Sequence, residues 1–547
     1  MSGPLEDLRA AVLAAAAAVR GGDGEGSVQP RLERPKRAGQ GDYSTNAAML
    51  LAPSLGAPPR VIAERLGPEL QARLGDRLAR WEVAGPGFLN LTMSDAWHSD
   101  AVRSVLAAGD AFGAGGASVA ERVIVEFVSA NPTGPLVAAS GRHAAFGDAL
   151  ARILQHHGHE VWREYYFNDA GTQIDNLGRS VIMRARGEEV PADQGLYEGE
   201  YVASLAAQIP DAASREVDDV AAAAVELLIG QISATLERYG VHFDRFFSER
   251  VLHEGSPSAV QRVLDSLERA GQLYRSEGAT WLRTTRFGDE HDQVVIRSTG
   301  APTYLAGDIA YLQEKRERGF ERQIIAVGAD HHAYVAEMKA AMAALGGDPD
   351  RVELPILQFV HLVSTEGVLR MSKRRGDFVT LDELLDAIGV DAARYFLVQR
   401  SHDRTMELNL ELARSQSAEN PVYYIQYAHA RIASMLAKLP SGRVARALDG
   451  SADWGAAELH PSESGLVKKL VSFPEELADA AARRAPHRIA AYALELAQEF
   501  TAFYRDCRVV GASPEPLESW RIALSVAARR TIALSLGLLG VSAPDSM

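Results

Sequence analysis

The chain has 547 residues, enough for about three domains, and its composition of 47% hydrophobic and 24% charged residues is that of a globular protein. No uninterrupted apolar run approaches the ~20 residues that span a bilayer, and the single cysteine, Cys507, excludes an internal disulfide or a cysteine-based zinc cluster. That cysteine usage points to a cytoplasmic location, and the net charge of −15 excludes a surface that coats nucleic acid generally.

From Pro421 onward, 14 basic residues face 13 acidic ones, so any contact with RNA rests on a local patch rather than on a global field. Residues 1–112 read as a separate small α/β unit. An Ala-rich amphipathic helix comes first, then Gly41-Asp42-Tyr43-Ser44-Thr45-Asn46 opens another helix, and Trp81 to Met93 reads as a hairpin around Gly85-Pro86-Gly87. Gly109 to Ser118 is the linker. Residues 113–410 begin with the β-branched strand Val123–Val128, which Pro132, Gly134 and Pro135 terminate. Ser140 is the expected N-cap of the following helix, Gly158 its end, and Val161 to Phe167 a second strand. Strand–helix–strand of this kind opens a Rossmann-like parallel α/β domain, whose small-residue turn lets a nucleotide approach the helix N-terminus.

Residues from about 170 to 280 read as a helical, acidic insertion. Strand signals resume at Trp281, Val294–Arg297, Ile324–Val327 and Gln358–Val363, and Thr380-Leu381-Asp382-Glu383 is a capping box. From residue 411 the pattern becomes an all-α bundle, with Pro421 at a first-helical position. Glu126 inside a strand and Asn131 in its loop are the unusual residues, and a strand-edge carboxylate beside a turn-forming Asn is an equally ordinary account of them. His331-His332 on an extended segment would point to opposite faces and has no Cys or Glu cluster beside it, so no zinc site is expected. His156-His157-x-His159 reads as a solvated turn.

Longer segments carry a resemblance. Val125 to Pro135 (V-E-F-V-S-A-N-P-T-G-P), Pro302 to Tyr311 (P-T-Y-L-A-G-D-I-A-Y), Val327 to Tyr334 (V-G-A-D-H-H-A-Y), Met371 to Thr380 (M-S-K-R-R-G-D-F-V-T) and Glu419 to Ile432 (E-N-P-V-Y-Y-I-Q-Y-A-H-A-R-I) are each similar to the arginyl-tRNA synthetases, in the right order. The amino-terminal G-D-Y-S-T-N and G-P-G-F-L-N resemble that family's additional domain. The resemblance implies ATP-dependent attachment of L-arginine to tRNA(Arg) through an arginyl-adenylate, with Mg²⁺ arriving on ATP, no membrane partner, and a monomeric enzyme.

It also implies roles for residues. Glu126 and Asn131 would hold the arginine backbone groups, and Tyr304 and Asp308, with His331 nearby, its guanidinium. Pro132, Ser140, Gly141, Met371, Ser372 and Lys373 would hold ATP, with Lys373 stabilising charge on the phosphates. Tyr423, Tyr427 and Arg431, four apart, would meet anticodon bases, and Asn46 and Phe88 the tRNA elbow. A core aromatic stripe explains Tyr423 and Tyr427 equally well on local grounds, and a helix-face salt bridge does so for Asp308.

One segment departs from the family. Where its signature has His-x-Gly-His, this chain has Val137-Ala138-Ala139-Ser140. Ser140, the helix N-terminal amides and His143 one turn along are the candidates to take over. The alternative is a catalytically impaired paralogue that binds tRNA or arginine for another purpose.

Overall fold

The computed structural model describes residues 3–21, 29–35, 39–191, 195–364, 367–368, 379–450, 452, 454 and 458–547. Its centre is a five-stranded parallel sheet. After β1 (Arg122–Glu126) the chain forms α1 (Ser140–His157), β2 (Glu160–Phe167), and then three helices: α2 (Thr172–Ala185), α3 (Glu200–Gln208) and α4 (Val217–Arg238). It returns to the sheet as β3 (Arg245–Ser248), passes through two helices and a three-stranded antiparallel sheet, and continues as α5 (Tyr304–Glu317), β4 (Arg322–Ile325), α6 (His332–Ala344) and β5 (Val352–Glu353). The spatial order is β5-β4-β1-β2-β3, with every pairing parallel. The order reverses between β1 and β4, and in open α/β sheets ligands bind outside the carboxyl ends of strands at such a switch point. Glu126, paired with Ile325, is the last residue of β1 and stands there.

Several expectations meet a different structure. Tyr43–Thr45 is a strand of an antiparallel four-stranded sheet, and Asn46 then stands at the N-cap position of the expected helix, Ala47–Leu55. The strand is an inner one, paired on one side with Leu32–Glu33 and on the other with the hairpin strand Phe88–Met93. The stretch 170–280 is interrupted by β3, whose Phe246 and Phe247 stack beside Tyr165 and Tyr166 of β2. Ser140 is not the cap of α1: Ala139 holds that position in a helical conformation, without a side-chain cap bond. His331 is the cap residue of α6 and His332 its first residue, so the pair does not lie on an extended segment. His156–His159 is no solvated turn. His156 Nε2 contacts Phe112 O at 2.9 Å, His159 Nδ1 accepts from Glu121 N at 3.3 Å, and both ring nitrogens of His157 are buried.

By length and composition α4 is apolar enough to cross a membrane, which the residue-run reading missed. Its Val220, Ala224 and Leu228 pack in the core shared with α2 and α3, and Asp218 and Asp219 lie in its first turn. After the sheet come α7 (Leu381–Ile388), opened by the expected Thr380/Glu383 capping box, and the helical bundle, including α8 (Pro421–Leu436) and α9 (Glu515–Leu538). The amino-terminal unit rests on that bundle through Lys468–Asp42 (2.8 Å) and through Arg103, which donates to Ala452 O (2.7 Å).

Candidate active site

A cavity of ≈ 670 Å³ opens at the switch point, lined among others by Glu126, Asn131, His143, Tyr304, Asp308 and His331. Residues up to two hundred positions apart therefore meet in one place. β1 brings Glu126, α5 brings Tyr304 and Asp308, and the start of α6 brings His331. Just past β1, Val128 (φ 68°) and Ser129 (φ 42°) are consecutive non-glycine residues in the left-handed region, which side chains disfavour. That turn brings Ser129 Oγ back to donate to Glu126 Oε1 at 3.2 Å and to accept from Tyr166 N at 3.2 Å. Asn131 is tied at both ends of its amide: Nδ2 donates to Gln173 (3.2 Å) and Oδ1 accepts from Asn168 N (3.2 Å).

The pocket is strongly acidic. Glu126 lies under an ion pair with the fully buried Lys315, whose Nζ is 2.5 Å from Glu126 Oε2 and 3.9 Å from the centre of the Tyr311 ring. Behind it, Glu164 accepts from Tyr311 (2.5 Å) and Arg318 (2.7 Å), contacts that hold its carboxyl below the usual range against the effect of burial. Asp308 is hydrogen-bonded by Tyr334, and among the described residues it has no ion-pair partner. Burial first, opposed by the Tyr334 hydroxyl and reinforced by the charges of Glu126 and Glu249, pushes its carboxyl up to about 7. The charge of Lys315 acts in the opposite direction without offsetting this rise. Glu249, buried at the end of β3 and hydrogen-bonded to Tyr166, completes the acidic wall, and burial together with Glu249 and Asp308 raises the Tyr166 hydroxyl.

Glu249, Tyr166, Tyr334 and Lys315 were not singled out from sequence. For Lys315 the signal was present: Tyr304, Asp308, Tyr311 and Lys315 recur on one face of α5, within a run (E-K-R-E-R) that otherwise reads as solvated charge. Tyr304 itself stands at the mouth, 69% exposed.

The nucleotide side is built differently. The first amides of α1 are already engaged, Ser140 N with Val137 O (2.9 Å), Gly141 N with Ala138 O (3.1 Å) and Arg142 N with Ala139 O (3.2 Å). The expectation that these amides are free for a phosphate is not met. Gly141 also has a packing reason to be small, since a Cβ there would come 2.9 Å from Leu381 Cδ1. Arg142 is buried and donates to Gln358 O (2.6 Å), Ser401 O and Arg404 O (both 2.9 Å), so it anchors α1. His143 presents a buried Nδ1 beside the cavity that has no partner among the described residues, and burial, aided by Arg142, pushes its imidazole down to about 4. Ala138 N donates to Val379 O (2.9 Å) and Leu381 N to Leu136 O (2.8 Å), so the segment in place of the signature is stitched to the start of α7. Pro132 is buried at the loop's base. Met371, Ser372 and Lys373 lie outside the described residues.

The proposed tRNA residues form two surfaces. Tyr423 and Tyr427 of α8 stack with ring centres 6.1 Å apart and planes 7° apart. Arg431 lies over the Tyr427 ring at 4.5 Å and donates to its hydroxyl at 2.9 Å, with Tyr504 also exposed beside it. Tyr427 is 41% exposed, which a core stripe does not explain. Arg505 is paired with Asp506 (2.7 Å). Asn46 and Phe88 adjoin at one end of the amino-terminal sheet, and Asn46 Oδ1 accepts from Arg31 N at 2.8 Å.

Three family models match the chain: the arginyl tRNA synthetase N terminal domain over residues 6–93, the class I (R) tRNA synthetase catalytic domain over 212–435, and the DALR anticodon binding domain over 425–547. A curated relative from Frankia alni, arginine–tRNA ligase, is 44% identical over 99% of both chains. The chain belongs to the arginyl-tRNA synthetases. A solved structure of a putative arginyl-tRNA synthetase from Campylobacter jejuni is 32% identical, covers 83% of this chain and all of its own, and superposes with a TM-score of 0.76. The Thermus thermophilus arginyl-tRNA synthetase shares the fold over 99% of both chains, with a TM-score of 0.75 at 24% identity. Membership in this class I synthetase family accounts for the Rossmann-like sheet, the amino-terminal unit and the carboxy-terminal helical bundle together.

Proposed function

We propose that this arginyl-tRNA synthetase activates arginine in the switch-point cavity and transfers it to tRNA, and that the acidic wall is its arginine pocket. The observation that carries the reading is the surplus of carboxylates: Glu126, Glu249 and Asp308 face a cavity where Lys315 already belongs to Glu126. Arginine brings two cations to such a site. Its guanidinium fits Asp308, Glu249 and the Tyr304 hydroxyl at the α5 end, where carboxylates offer charge-assisted, paired acceptors. Its ammonium fits Glu126, with Ser129 and Asn131 beside it, and His331 flanks the entrance. Lysine would leave the acceptors of this pocket unfilled, which is a strong basis for rejection.

The carboxylate of arginine then attacks the α-phosphorus of ATP: a new P–O bond forms, the bond from the α-phosphorus to the α,β-bridging oxygen breaks, and pyrophosphate leaves with that electron pair. ATP binds beside the loop at Pro132, with Met371, Ser372 and Lys373 as its further partners and Mg²⁺ held mostly by its phosphates. Lys373 supplies a cation to the developing phosphate charge, and Ser140 and the neutral imidazole of His143 supply hydrogen bonds where the signature histidines are missing. Gly141 acts there by letting α1 sit against α7. The terminal ribose hydroxyl of tRNA(Arg) then attacks the arginyl carbonyl of the adenylate, an ester bond forms, the bond to the phosphate oxygen breaks and AMP leaves, with the tRNA gripped at Tyr423, Tyr427 and Arg431 and at Asn46 and Phe88. One chain supplies every group named, which supports a monomer. Charging serves translation, so the proposed location is the cytoplasm. No observation favours the binding-only alternative.

Charging of tRNA with labelled arginine, ATP and Mg²⁺ tests the reading, with lysine and glutamine as controls. Arginine-specific charging is expected; arginine-independent or absent charging overturns it.

A further inference from the structure

Glu126, Glu249 and Asp308 all face the proposed arginine pocket, but they are held unequally. Glu126 takes Lys315 on one oxygen (2.5 Å) and Ser129 Oγ on the other (3.2 Å). Glu249 accepts from Tyr166, and His253 Nε2 stands 3.6 Å from its Oε1. Gly307 keeps that corner open, since a Cβ there would come 3.6 Å from the same oxygen. Asp308 has no ion-pair partner among the described residues, and its donor is the Tyr334 hydroxyl.

The Asp308 carboxyl therefore depends most on a single contact. Rotation about the last bond of an aspartate side chain is soft, whereas a guanidinium fork needs its acceptors in one plane and in fixed places. Tyr334 can supply that constraint. It stands in the first turn of α6, lines the same cavity, and packs its ring against the core shared by α5, α6 and the three-stranded sheet. His331 meets the ring edge to face at 6.0 Å. A ring pinned in this way delivers its hydroxyl to one point. Burial, reinforced by the charges of Asp308 and Glu126, pushes that hydroxyl well above its ordinary value, so it keeps its proton and donates. A carboxylate offers about four acceptor directions, and one donor leaves the others to the substrate.

We propose that Tyr334 is a positioning residue for arginine: its hydroxyl takes one acceptor site of Asp308 and so fixes the carboxylate plane that the guanidinium meets. That role rests on the reading that this cavity is the arginine pocket. The same hydrogen bond favours the ionised carboxylate, so its removal acts most strongly at low pH. The other groups around Asp308 are Glu126 of β1, His143 of α1, Tyr166 of β2, Glu249 and His253 after β3, Tyr304, Tyr311 and Lys315 of α5, and His331 and Glu337 at the start of α6. All of them are common to the native chain and to Tyr334→Phe, so they cancel when the two are compared.

The test measures the dissociation constant of L-arginine by calorimetry at pH 6, 7 and 8, with ATP as a control ligand. The full-length native chain is compared with Tyr334→Phe, Asp308→Ala and the double variant. Losing the donor should move the midpoint of arginine binding up by about one pH unit. Tyr334→Phe is therefore expected to weaken arginine about tenfold at pH 6 and only about twofold at pH 8, with the ATP constant unchanged. In the Asp308→Ala chain the same change should cost nothing further, because the hydroxyl acts through Asp308. A loss that is equal at every pH, or equal with and without Asp308, would make Tyr334 a packing residue and overturn the proposal. If Asp308→Ala weakens arginine and Tyr334→Phe does not, only the role of Tyr334 falls. If Asp308→Ala itself leaves the arginine constant unaltered, the pocket falls, and the role of Tyr334 with it.

Discussion

The two halves of the proposed active cleft are built by different means. On the arginine side, charged groups are buried and mutually dependent: Glu126 with Lys315, Glu164 with Arg318, and Asp308 lifted to about 7 by burial and by its acidic neighbours. On the nucleotide side, the segment Val137–Ser140 presents small side chains, and its backbone bonds are spent on α1 and on the start of α7. The first half is preorganised by electrostatics and incomplete until a cation arrives. The second is preorganised by backbone and recruits few side chains of its own. Substitutions should therefore be severe on one side and graded on the other.

The largest effect is expected at Lys315. Lys315→Met leaves Glu126 as a buried carboxylate without its partner, a change that costs about 3–5 kcal/mol, and thermal or urea unfolding should show it. An unfolding midpoint equal to that of the native chain would mean that the ion pair is not needed. Asp308→Ala comes next: losing a charge-assisted partner of the guanidinium, about 1.5–3 kcal/mol, should raise the arginine KM roughly 10- to 100-fold while the ATP KM stays put. If arginine affinity is unaltered, the pocket is not where the guanidinium binds.

A pH series sharpens the same contrast. In the empty cavity the Asp308 carboxyl titrates near 7, above its ordinary value, so the empty chain gains stability from its protonation as pH falls through 7. Arginine needs the ionised form, so its affinity should rise with pH and fall about tenfold between pH 8 and pH 6. Asp308→Asn should flatten that slope; a slope that survives the substitution would assign it to another group. On the nucleotide side the effects should be smaller. His143→Ala is expected to lower kcat about tenfold with arginine KM unchanged, the worth of one hydrogen bond to a charged group. With an imidazole at about 4, this contribution should not vary between pH 6 and 8.

The sequence was most readable where chemistry and local pattern agree. Glu126, Asn131, Tyr304, Asp308 and His331 line one cavity, because long matching segments fix both residue type and order. Glu249 was hidden for a physical reason: β3 is four residues long, between helices, and its place in the sheet comes from pairing with β2 rather than from its own periodicity. Lys315 was hidden by composition, since a charged run on a helix is ordinarily solvated, and only tertiary packing buries it. Ser140 as a cap failed because the turn before α1 is closed by backbone bonds to Val137–Ala139, which leave the capping role unfilled. The antiparallel pairing of Tyr43–Thr45 with Phe88–Met93 depends on a strand more than forty residues away, beyond the reach of a local pattern.

An acidic arginine pocket beside a reduced nucleotide side should still support the full reaction. Its most direct test is tRNA charging with labelled arginine, measured as kcat and arginine KM in the native chain and in Lys373→Ala. Arginine-specific charging is expected from the native chain, and a fall in kcat of about a hundredfold or more from the variant, with little change in arginine KM. A native chain that binds arginine but transfers none to tRNA would contradict it.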